Sequence, residues 1–307
     1  MILLWGPAND APLNSVRAAL ARLGTPLMVL DQEKGLEAKI DLTVDSELHG
    51  TLKVAGREVA LADIGAVYIR PQGTRRAASM EVAGRESSPG SGALLFESTL
   101  ACWTELTPAL VVTRFSAMGS NGSKPLQSSL IRDSGFDVPE TLVTTDKAAA
   151  LAFWKRHGQV IYKSVSGVRS IVARLSVDHL ERLDDIANCP TQFQEYVDGT
   201  DVRVHVIGDE VFGCEIESIS DDYRYAKPRD SSVRLRTYAV PSRLAGMCCA
   251  VTTSLDLLVA GIDFRRRRDG RWCCFEVNSS PAFTFFETSG RQEMADGLAR
   301  LLTAHRR

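Results

Sequence analysis

Residues 261–281 read GIDFRRRRDGRWCCFEVNSSP, a stretch that predicts a β-hairpin with a metal-binding face. Asp269-Gly270 is a two-residue turn signal, and the resulting register places Asp263 directly opposite Glu276. Asn278 shares the face of Glu276 because side chains along a strand alternate between two faces. Like charges that face each other destabilise a sheet, so this pair needs a compensating cation. Two carboxylates and an amide oxygen suit Mg²⁺ or Mn²⁺, which proteins commonly hold together with substrate phosphates.

A second interpretation of this hairpin is an exposed one, whose carboxylates pair with the arginines at 265–268. The residues beside the two carboxylates favour the metal site instead, because they are apolar and indicate buried strands. These neighbours are Ile262, Phe264, Phe275 and Val277.

Two lysines are candidates for binding phosphate. Lys163 ends a predicted strand and precedes a loop that contains Ser166 and Gly167, whose backbone N–H groups can hold phosphate oxygens. Lys124 begins a predicted helix, where the helix dipole favours anions. Each lysine can equally be an ordinary surface residue. The chain has no GxxxxGK[ST] loop and no GxGxxG after a strand, which disfavours P-loop and Rossmann folds.

A second predicted hairpin turns at Gly208-Asp209. Strand alternation then places Asp201, Arg203 and His205 on one face. A carboxylate for sugar hydroxyls and an arginine for phosphate suit a nucleotide, and His205 is expected to be an ordinary sheet histidine. The segment Gln194–Val197 comes just before this hairpin.

The order of these motifs resembles the ATP-grasp superfamily. It is most similar to the branch of the RimK-type ligases and the microviridin-type (graspetide) peptide maturases, over most of the chain. Two further stretches are similar to segments of the maturases, AVYIRP (residues 66–71) and SDDYRY (residues 220–225). The chain departs from the maturases at SSPAFTFFE (residues 279–287), where they more often have an Asn-Gly-Gln-Trp-like run, and at Arg114-Phe115 in place of Arg-Pro.

The resemblance implies an α/β protein made of α+β lobes, with an ATP-grasp fold behind an N-terminal pre-ATP-grasp domain. ATP would lie between two lobes, phosphorylate a substrate carboxylate, and leave an acyl phosphate that an amine converts to an amide. The implied roles are Lys124, Lys163, Ser166 and Gly167 on the phosphates, Gln194, Glu195, Tyr196 and Val197 on adenine, Asp201 on the ribose, Asp263, Glu276 and Asn278 on Mg²⁺ (or Mn²⁺), and Arg203 with Lys163 in catalysis.

We expect three domains in the chain. An N-terminal α/β domain spans residues 1–110, a central ATP-grasp lobe spans 111–191, and a C-terminal lobe with the metal site spans 192–307. Arg70, Arg224, Lys227 and Arg234 are candidates for binding an anionic part of the substrate, although the polar segment 218–236 can also be a solvated loop.

Composition narrows the class of protein. The 36 Lys+Arg and 38 Asp+Glu give a net charge of −2, which argues against a nucleic-acid partner despite the arginine run. Seven cysteines, two pairs of them adjacent in sequence, do not resemble a secreted disulfide framework. We expect a cytoplasmic protein with no signal peptide and no membrane span, acting on an amino acid, a small peptide or a ribosomal precursor peptide. A homodimer is compatible with this class, because dimers are common among soluble enzymes.

Two other functions are compatible with the same motifs. A regulatory or scaffold protein can retain the fold and bind nucleotide without turnover, although it would not need the costly pair of carboxylates. A phosphotransferase that moves phosphate to a hydroxyl group would use the same kind of metal site.

Overall fold

The computed structural model describes residues 1–70, 89–165, 172–218, 233–287 and 293–304, and it divides into two compact units. Unit 1 comprises residues 1–118, 257–259 and 280–307, and unit 2 comprises residues 119–256 and 260–279. These units are defined by contacts within the structure, and the division into three domains stays a prediction from the sequence.

The described residues form sixteen β-strands and six α-helices. The strands are β1 (Ile2–Gly6), β2 (Leu27–Asp31), β3 (Lys39–Val44), β4 (Leu48–Val54), β5 (Arg57–Ala60), β6 (Ala66–Ile69), β7 (Leu110–Val112), β8 (Thr141–Thr144), β9 (Val160–Ser164), β10 (Ala173–Arg174), β11 (Thr191–Glu195), β12 (Thr200–Ile207), β13 (Glu210–Ser218), β14 (Val233–Tyr238), β15 (Val259–Arg266) and β16 (Trp272–Asn278). The helices are α1 (Ala11–Arg22), α2 (Pro89–Leu106), α3 (Lys124–Asp133), α4 (Lys147–His157), α5 (Ser242–Ser254) and α6 (Glu293–Ala304).

Unit 1 is built on a parallel sheet with the strand order β2-β1-β6-β7. All five residues of β1 are buried, as expected for a strand with parallel neighbours on both sides. Helix α1 begins after Asp10, whose carboxylate accepts a hydrogen bond from the Leu13 N–H at 2.8 Å and satisfies one of the unpaired donors of the first turn. A smaller antiparallel sheet, β3-β4-β5, adds Leu52 to the core around Trp5 and Trp103.

Unit 2 contains two antiparallel sheets. The first has the order β10-β9-β11-β8, and α4 packs Ala150 and Phe153 into its core. Residues at both ends of helix α4 favour its boundaries: Asp146 accepts a hydrogen bond from the Ala148 N–H at 2.8 Å, and Gly158 follows the last turn with φ +69°. The second sheet has the order β14-β13-β12-β15-β16.

The hairpin of β12 and β13 has the predicted register. Asp201 pairs with Ile216 and Ile207 pairs with Glu210, which leaves Gly208-Asp209 as a two-residue turn. Asp201, Arg203 and His205 therefore share one face of β12, as predicted.

The turn between β15 and β16 differs from the prediction. A two-residue turn would pair Arg268 with Arg271, but the N–H of Arg267 donates to the Arg271 carbonyl at 2.9 Å, so the turn has three residues. Gly270 occupies the left-handed position (φ +83°) that such a turn requires. The prediction of a two-residue turn was wrong by one residue.

A β-bulge in β16 cancels this shift. Phe264 pairs with Cys274 whereas Asp263 pairs with Glu276, so Phe275 is the extra residue. Asp263 therefore lies opposite Glu276 as predicted, and without the bulge it would lie opposite Phe275. The bulge is thus the local feature that brings the two carboxylates together.

Helix α5 ends at Ser254, whereas the sequence predicts a helix as far as Val259. Val259, where the predicted helix ends, is instead the first residue of β15, and between the two elements Asp256 has a left-handed backbone with φ +56°. Strands β3 and β7 were not predicted from the sequence either. Strand β7 has only three residues, too few for a periodic pattern, and it pairs in parallel with β6.

Gly199 is required where the chain enters β12. Its φ is +149°, and a Cβ there would lie 2.2 Å from the carbonyl oxygen of Arg266. We expect Gly199→Ala to lower the free energy of unfolding by about 1–3 kcal/mol through strain and steric overlap. Urea denaturation followed by circular dichroism measures this change. The matched control is Gly246→Ala in α5, where a Cβ meets no atom within 4 Å; it should instead stabilise the protein by about 0.5–1 kcal/mol. Equal midpoints for the wild type and Gly199→Ala would contradict the expectation.

Candidate active site

A pocket in unit 2 is lined by eight of the candidate site residues that were selected from the sequence. These are Lys163, Gln194, Glu195, Tyr196, Val197, Asp201, Asp263 and Glu276. Strands of both sheets of unit 2 contribute to the wall: β9 and β11 belong to the first sheet, and β12, β13, β15 and β16 belong to the second. Lys124 and Arg203 do not line the pocket, but each contacts a carboxylate that does.

Each of the two facing carboxylates has its own cation. Arg203 Nη1 lies 2.6 Å from Asp263 Oδ2, and Lys124 Nζ lies 3.1 Å from Glu276 Oε1. The two like charges that face each other are therefore neutralised by Arg203 from β12 and by Lys124 from helix α3. The sequence predicted that this pair needs a compensating cation, and the protein provides two of them.

Gln127 holds helix α3 in the position that Lys124 needs. Its Nε2 donates to the Val277 carbonyl at 2.8 Å, and its Oε1 accepts from the Val277 N–H at 3.1 Å. A buried glutamine that satisfies both backbone groups of one residue fixes the helix against β16. Glu276, the ion-pair partner of Lys124, is next to Val277. Gln127 was not predicted as a site residue, since nothing in the local sequence indicates which strand a helix packs against.

Arg203 is buried and has a second contact on its own strand. Only 4% of the residue is exposed, and its Nε donates to His205 Nε2 at 3.4 Å. Burial and the neighbouring Arg203 cation hold the pKa of His205 well below its usual range, so the ring is neutral and acts as an acceptor. His205 is a buried sheet residue, as expected, but it also contacts the guanidinium that reaches Asp263.

Arg265 is a pocket residue that the sequence analysis missed. Its Nε and Nη2 each donate to one oxygen of Asp201 at 2.8 Å, and its Nη1 donates to the Val197 carbonyl at 2.8 Å. Arg265 lies two residues after Asp263 and so shares its face of β15. That alternation was the available signal, and the surrounding run of arginines concealed it.

The side chains of Gln194 and Glu195 are engaged with neighbouring groups. Gln194 Nε2 donates to Thr141 Oγ1 at 3.0 Å on the adjacent strand. Glu195 pairs with Arg267 at 3.1 Å and lies 3.7 Å from His157 Nδ1. These contacts fix the segment that leads from β11 into the pocket.

Arg70 lies in unit 1, at the end of β6, and is buried. Its Nε lies 2.6 Å from Asp10 Oδ1, and its Nη1 donates to Ser280 Oγ at 3.1 Å and to the Pro281 carbonyl at 3.0 Å. Asp10 also caps helix α1. The structure therefore gives Arg70 a set of contacts that join β6, α1 and the segment after residue 279.

Of the remaining substrate and phosphate candidates, the structure describes Arg234, which does not line the pocket. Arg234 is exposed on β14, and its neighbour across the strand pair is Glu217. Glu217 is next to Ile216, which lines the pocket, so Arg234 and Glu217 lie on the other face of the sheet. Ser166, Gly167, Arg224 and Lys227 lie outside the described residues, as does the segment 220–225.

The donor set suits a hard divalent cation. Within the part of the chain that the structure describes, no three His, Cys, Asp or Glu side chains form a cluster able to hold a metal. Asp263 and Glu276 supply two carboxylates, and Asn278 follows on the same strand with an amide oxygen. Mg²⁺ is commonly held by one or two carboxylates, water and substrate phosphates, so these residues fit it.

Comparison with known proteins gives a family. The model of the RimK-like ATP-grasp domain matches residues 123–302. The ATP-grasp ligase PsnB complexed with a minimal precursor is 27% identical, over 99% of this chain and 98% of that chain, with a TM-score of 0.79. The Chryseobacterium gregarium RiPP-associated ATP-grasp ligase, in complex with ADP and a leader and core peptide, is 20% identical over 99% and 96%, with a TM-score of 0.81. The macrocyclase MdnC from Microcystis aeruginosa MRC, bound with precursor peptide MdnA, is 17% identical over 99% and 100%, with a TM-score of 0.81. Curated proteins give no match.

The chain belongs to the RimK-like ATP-grasp family. The predicted mixed α/β architecture and ATP-grasp fold are confirmed. The predicted activity class is confirmed as well: an ADP-forming carboxylate–amine ligase with ATP and Mg²⁺ as cofactors. Among the described residues, no helix has the length and apolar character needed to cross a membrane.

Proposed function

We propose that this chain binds Mg·ATP in the pocket of unit 2 and forms amide bonds in a peptide substrate. The observation that carries the proposal is the facing pair of Asp263 and Glu276 on the pocket wall, with Arg203 and Lys124 on its two carboxylates. Two carboxylates and the amide oxygen of Asn278 on one strand pair form a donor set that suits Mg²⁺ bound together with substrate phosphates, and a pocket that only bound a nucleoside would not need such a set.

The pocket residues take the roles that the resemblance implies. The backbone of Gln194–Val197, with Glu195, would contact adenine, and Asp201 would contact the ribose. Lys124 and Lys163 would bind the phosphates, together with Ser166 and Gly167. Asp263, Glu276 and Asn278 would hold Mg²⁺, which when bound neutralises charge on the phosphoryl group that is transferred.

The reaction transfers the terminal phosphoryl group and then condenses two groups. A carboxylate oxygen of the substrate attacks the terminal phosphorus, the bond to ADP breaks, and an acyl phosphate forms. An amine then attacks the acyl carbon, phosphate leaves, and the amine loses a proton. Arg203 is a permanently charged guanidinium held by β12, so it can stabilise the negative charge of the acyl phosphate without reorganisation.

The likeness to PsnB supports a peptide substrate. PsnB is complexed with a minimal precursor, and this chain is 27% identical to it over nearly the full length of both. Arg224 and Lys227 stay candidates for binding the peptide. Arg234 lies on the face of the sheet away from the pocket, and the Arg70 guanidinium is engaged with Asp10, Ser280 and Pro281, so neither is assigned a contact with the peptide at the pocket. A homodimer and a cytoplasmic location stay predictions.

The test compares two substrate pools. The protein is incubated with Mg·ATP and either short synthetic peptides that contain Asp, Glu and Lys or a mixture of free amino acids. We expect ADP only with the peptide pool, together with peptides that have lost one water for each ADP formed, as shown by mass spectrometry. ADP formation with free amino acids alone would show that the substrate is not a peptide.

Lys163→Ala tests in the same assay whether the reaction takes place at this pocket. Lys163 lines the pocket, and we expect its loss to reduce ADP formation by at least about 10²-fold, the range for removing one charged contact to a transition state. Lys155→Ala removes an exposed lysine on α4 and should leave the rate unchanged. If Lys163→Ala formed ADP at the wild-type rate, the proposed role of Lys163 in binding phosphate would be wrong.

A further inference from the structure

Arg265 joins the two chain segments that are proposed to hold the nucleoside. Its Nε and Nη2 donate to the two oxygens of Asp201, the proposed ribose contact, and its Nη1 donates to the carbonyl of Val197, the last residue of the proposed adenine segment. The guanidinium lies on the pocket wall with only 12% of the side chain exposed. One planar group therefore sets the position of a carboxylate relative to a backbone segment.

The geometry of the contact restricts the Asp201 carboxylate. Two parallel N–H···O bonds from one guanidinium fix the plane of a carboxylate as well as its distance. Each carboxylate oxygen has further lone pairs, so both oxygens can still accept bonds from hydroxyl groups. A lysine can supply the charge at this position but not the planar fork or the third directed N–H.

Aromatic rings restrict the guanidinium itself. The ring centroids of Tyr196 and Phe275 lie 5.6 Å and 5.5 Å from Arg265 Cζ, within the distance of a cation–π contact. Phe275 is the extra residue of the β-bulge, and both Phe275 and Glu276 line the pocket. The bulge therefore contributes a ring to the Arg265 contact and a carboxylate to the metal site.

We propose that Arg265 is a positioning residue that makes the pocket selective for ribonucleotides, by holding the Asp201 carboxylate toward the ribose hydroxyl groups. The inference rests on the proposed function, because it takes the nucleotide to lie in this pocket with its ribose at Asp201. Arg265 acts through Asp201 and Val197 and needs no contact with the reacting phosphate.

Isothermal titration calorimetry, which measures the affinities for ADP and 2′-deoxyADP, tests the proposal without the peptide substrate. For the wild type we expect ADP to bind about tenfold more tightly than 2′-deoxyADP, the effect of one hydrogen bond to a charged group. In Arg265→Lys we expect ADP to bind about tenfold more weakly and the preference over 2′-deoxyADP to fall to about twofold or less. If Arg265 had a purely structural role, the variant would bind both nucleotides more weakly by the same factor, and the ratio of the two affinities would stay unchanged.

Arg266→Lys is the matched control, because Arg266 is the next residue of β15, points to the opposite face, and pairs with Glu215 at 3.0 Å. It should keep the wild-type ratio. If Arg265→Lys does not fold, as judged by circular dichroism, Asp201→Asn replaces it and should lose the same preference.

The outcomes separate this inference from the proposed function. A wild-type preference that persists in Arg265→Lys, or equal wild-type affinity for ADP and 2′-deoxyADP, overturns the role of Arg265 while leaving the nucleotide site intact. A wild type that binds neither nucleotide overturns the proposed function and this inference with it.

Discussion

Asp263→Asn is expected to reduce ADP formation by at least about 10²–10³-fold, the range for removing one electrostatic contact made in the transition state. The change keeps the size of the side chain but removes the charge that would hold Mg²⁺ and that now contacts Arg203 at 2.6 Å. Initial rates of ADP release with Mg·ATP and the peptide pool measure the effect.

Asp269→Asn is the matched control for this prediction. Asp269 lies at the tip of the same hairpin, and its carboxylate pairs with Arg271 Nε at 2.8 Å in an exposed position. The control should form ADP at the wild-type rate. If Asp263→Asn also did so, the metal-binding role of Asp263 would be wrong.

Arg203→Leu is expected to affect both activity and stability. Removing the guanidinium takes the Arg203 cation away from Asp263, whose side chain is 22% exposed and which lies opposite Glu276. Breaking a largely buried pair in this way costs about 3 kcal/mol of unfolding free energy. ADP formation should fall by about 10²-fold or more, because the acyl phosphate loses its cation. Urea denaturation and initial rates measure the two effects separately.

The double variant Arg203→Leu, Asp263→Leu distinguishes the two effects. Replacing both members of a buried pair by apolar residues is often neutral or stabilising, so the double variant should recover much of the stability lost in Arg203→Leu. Its activity should stay abolished, because neither charge is restored. Recovery of ADP formation along with stability would show that Arg203 and Asp263 serve only the fold.

Strand alternation and turn signals predicted much of the site. The Gly208-Asp209 turn fixed the register of β12 and β13, and with it the shared face of Asp201 and Arg203. The pairing of Asp263 with Glu276 was predicted for an incomplete reason, since a longer turn and a β-bulge shift the register in opposite directions. A bulge depends on how the strand packs, so the turn residues alone cannot reveal it.

The contacts between distant segments could not be predicted. Nothing local indicates that β12 lies beside β15, and this strand order is what brings Arg203 to Asp263 and Arg265 to Asp201. The packing of α3 on β16 through Gln127 is non-local for the same reason. The order of the motifs carried the resemblance to the ATP-grasp superfamily, but the ion pairs that neutralise the two carboxylates are visible only in the structure.

Phosphorus NMR of ATP tests the central claim most directly. The protein is incubated with Mg·ATP and the pooled amino acids and peptides, and the phosphorus signals are followed with time. We predict ADP and inorganic phosphate, because the reaction passes through an acyl phosphate and releases its phosphate when the amine attacks. AMP and pyrophosphate would show adenylation chemistry and contradict the proposed use of the site, and ATP that stays unchanged in every pool would contradict turnover.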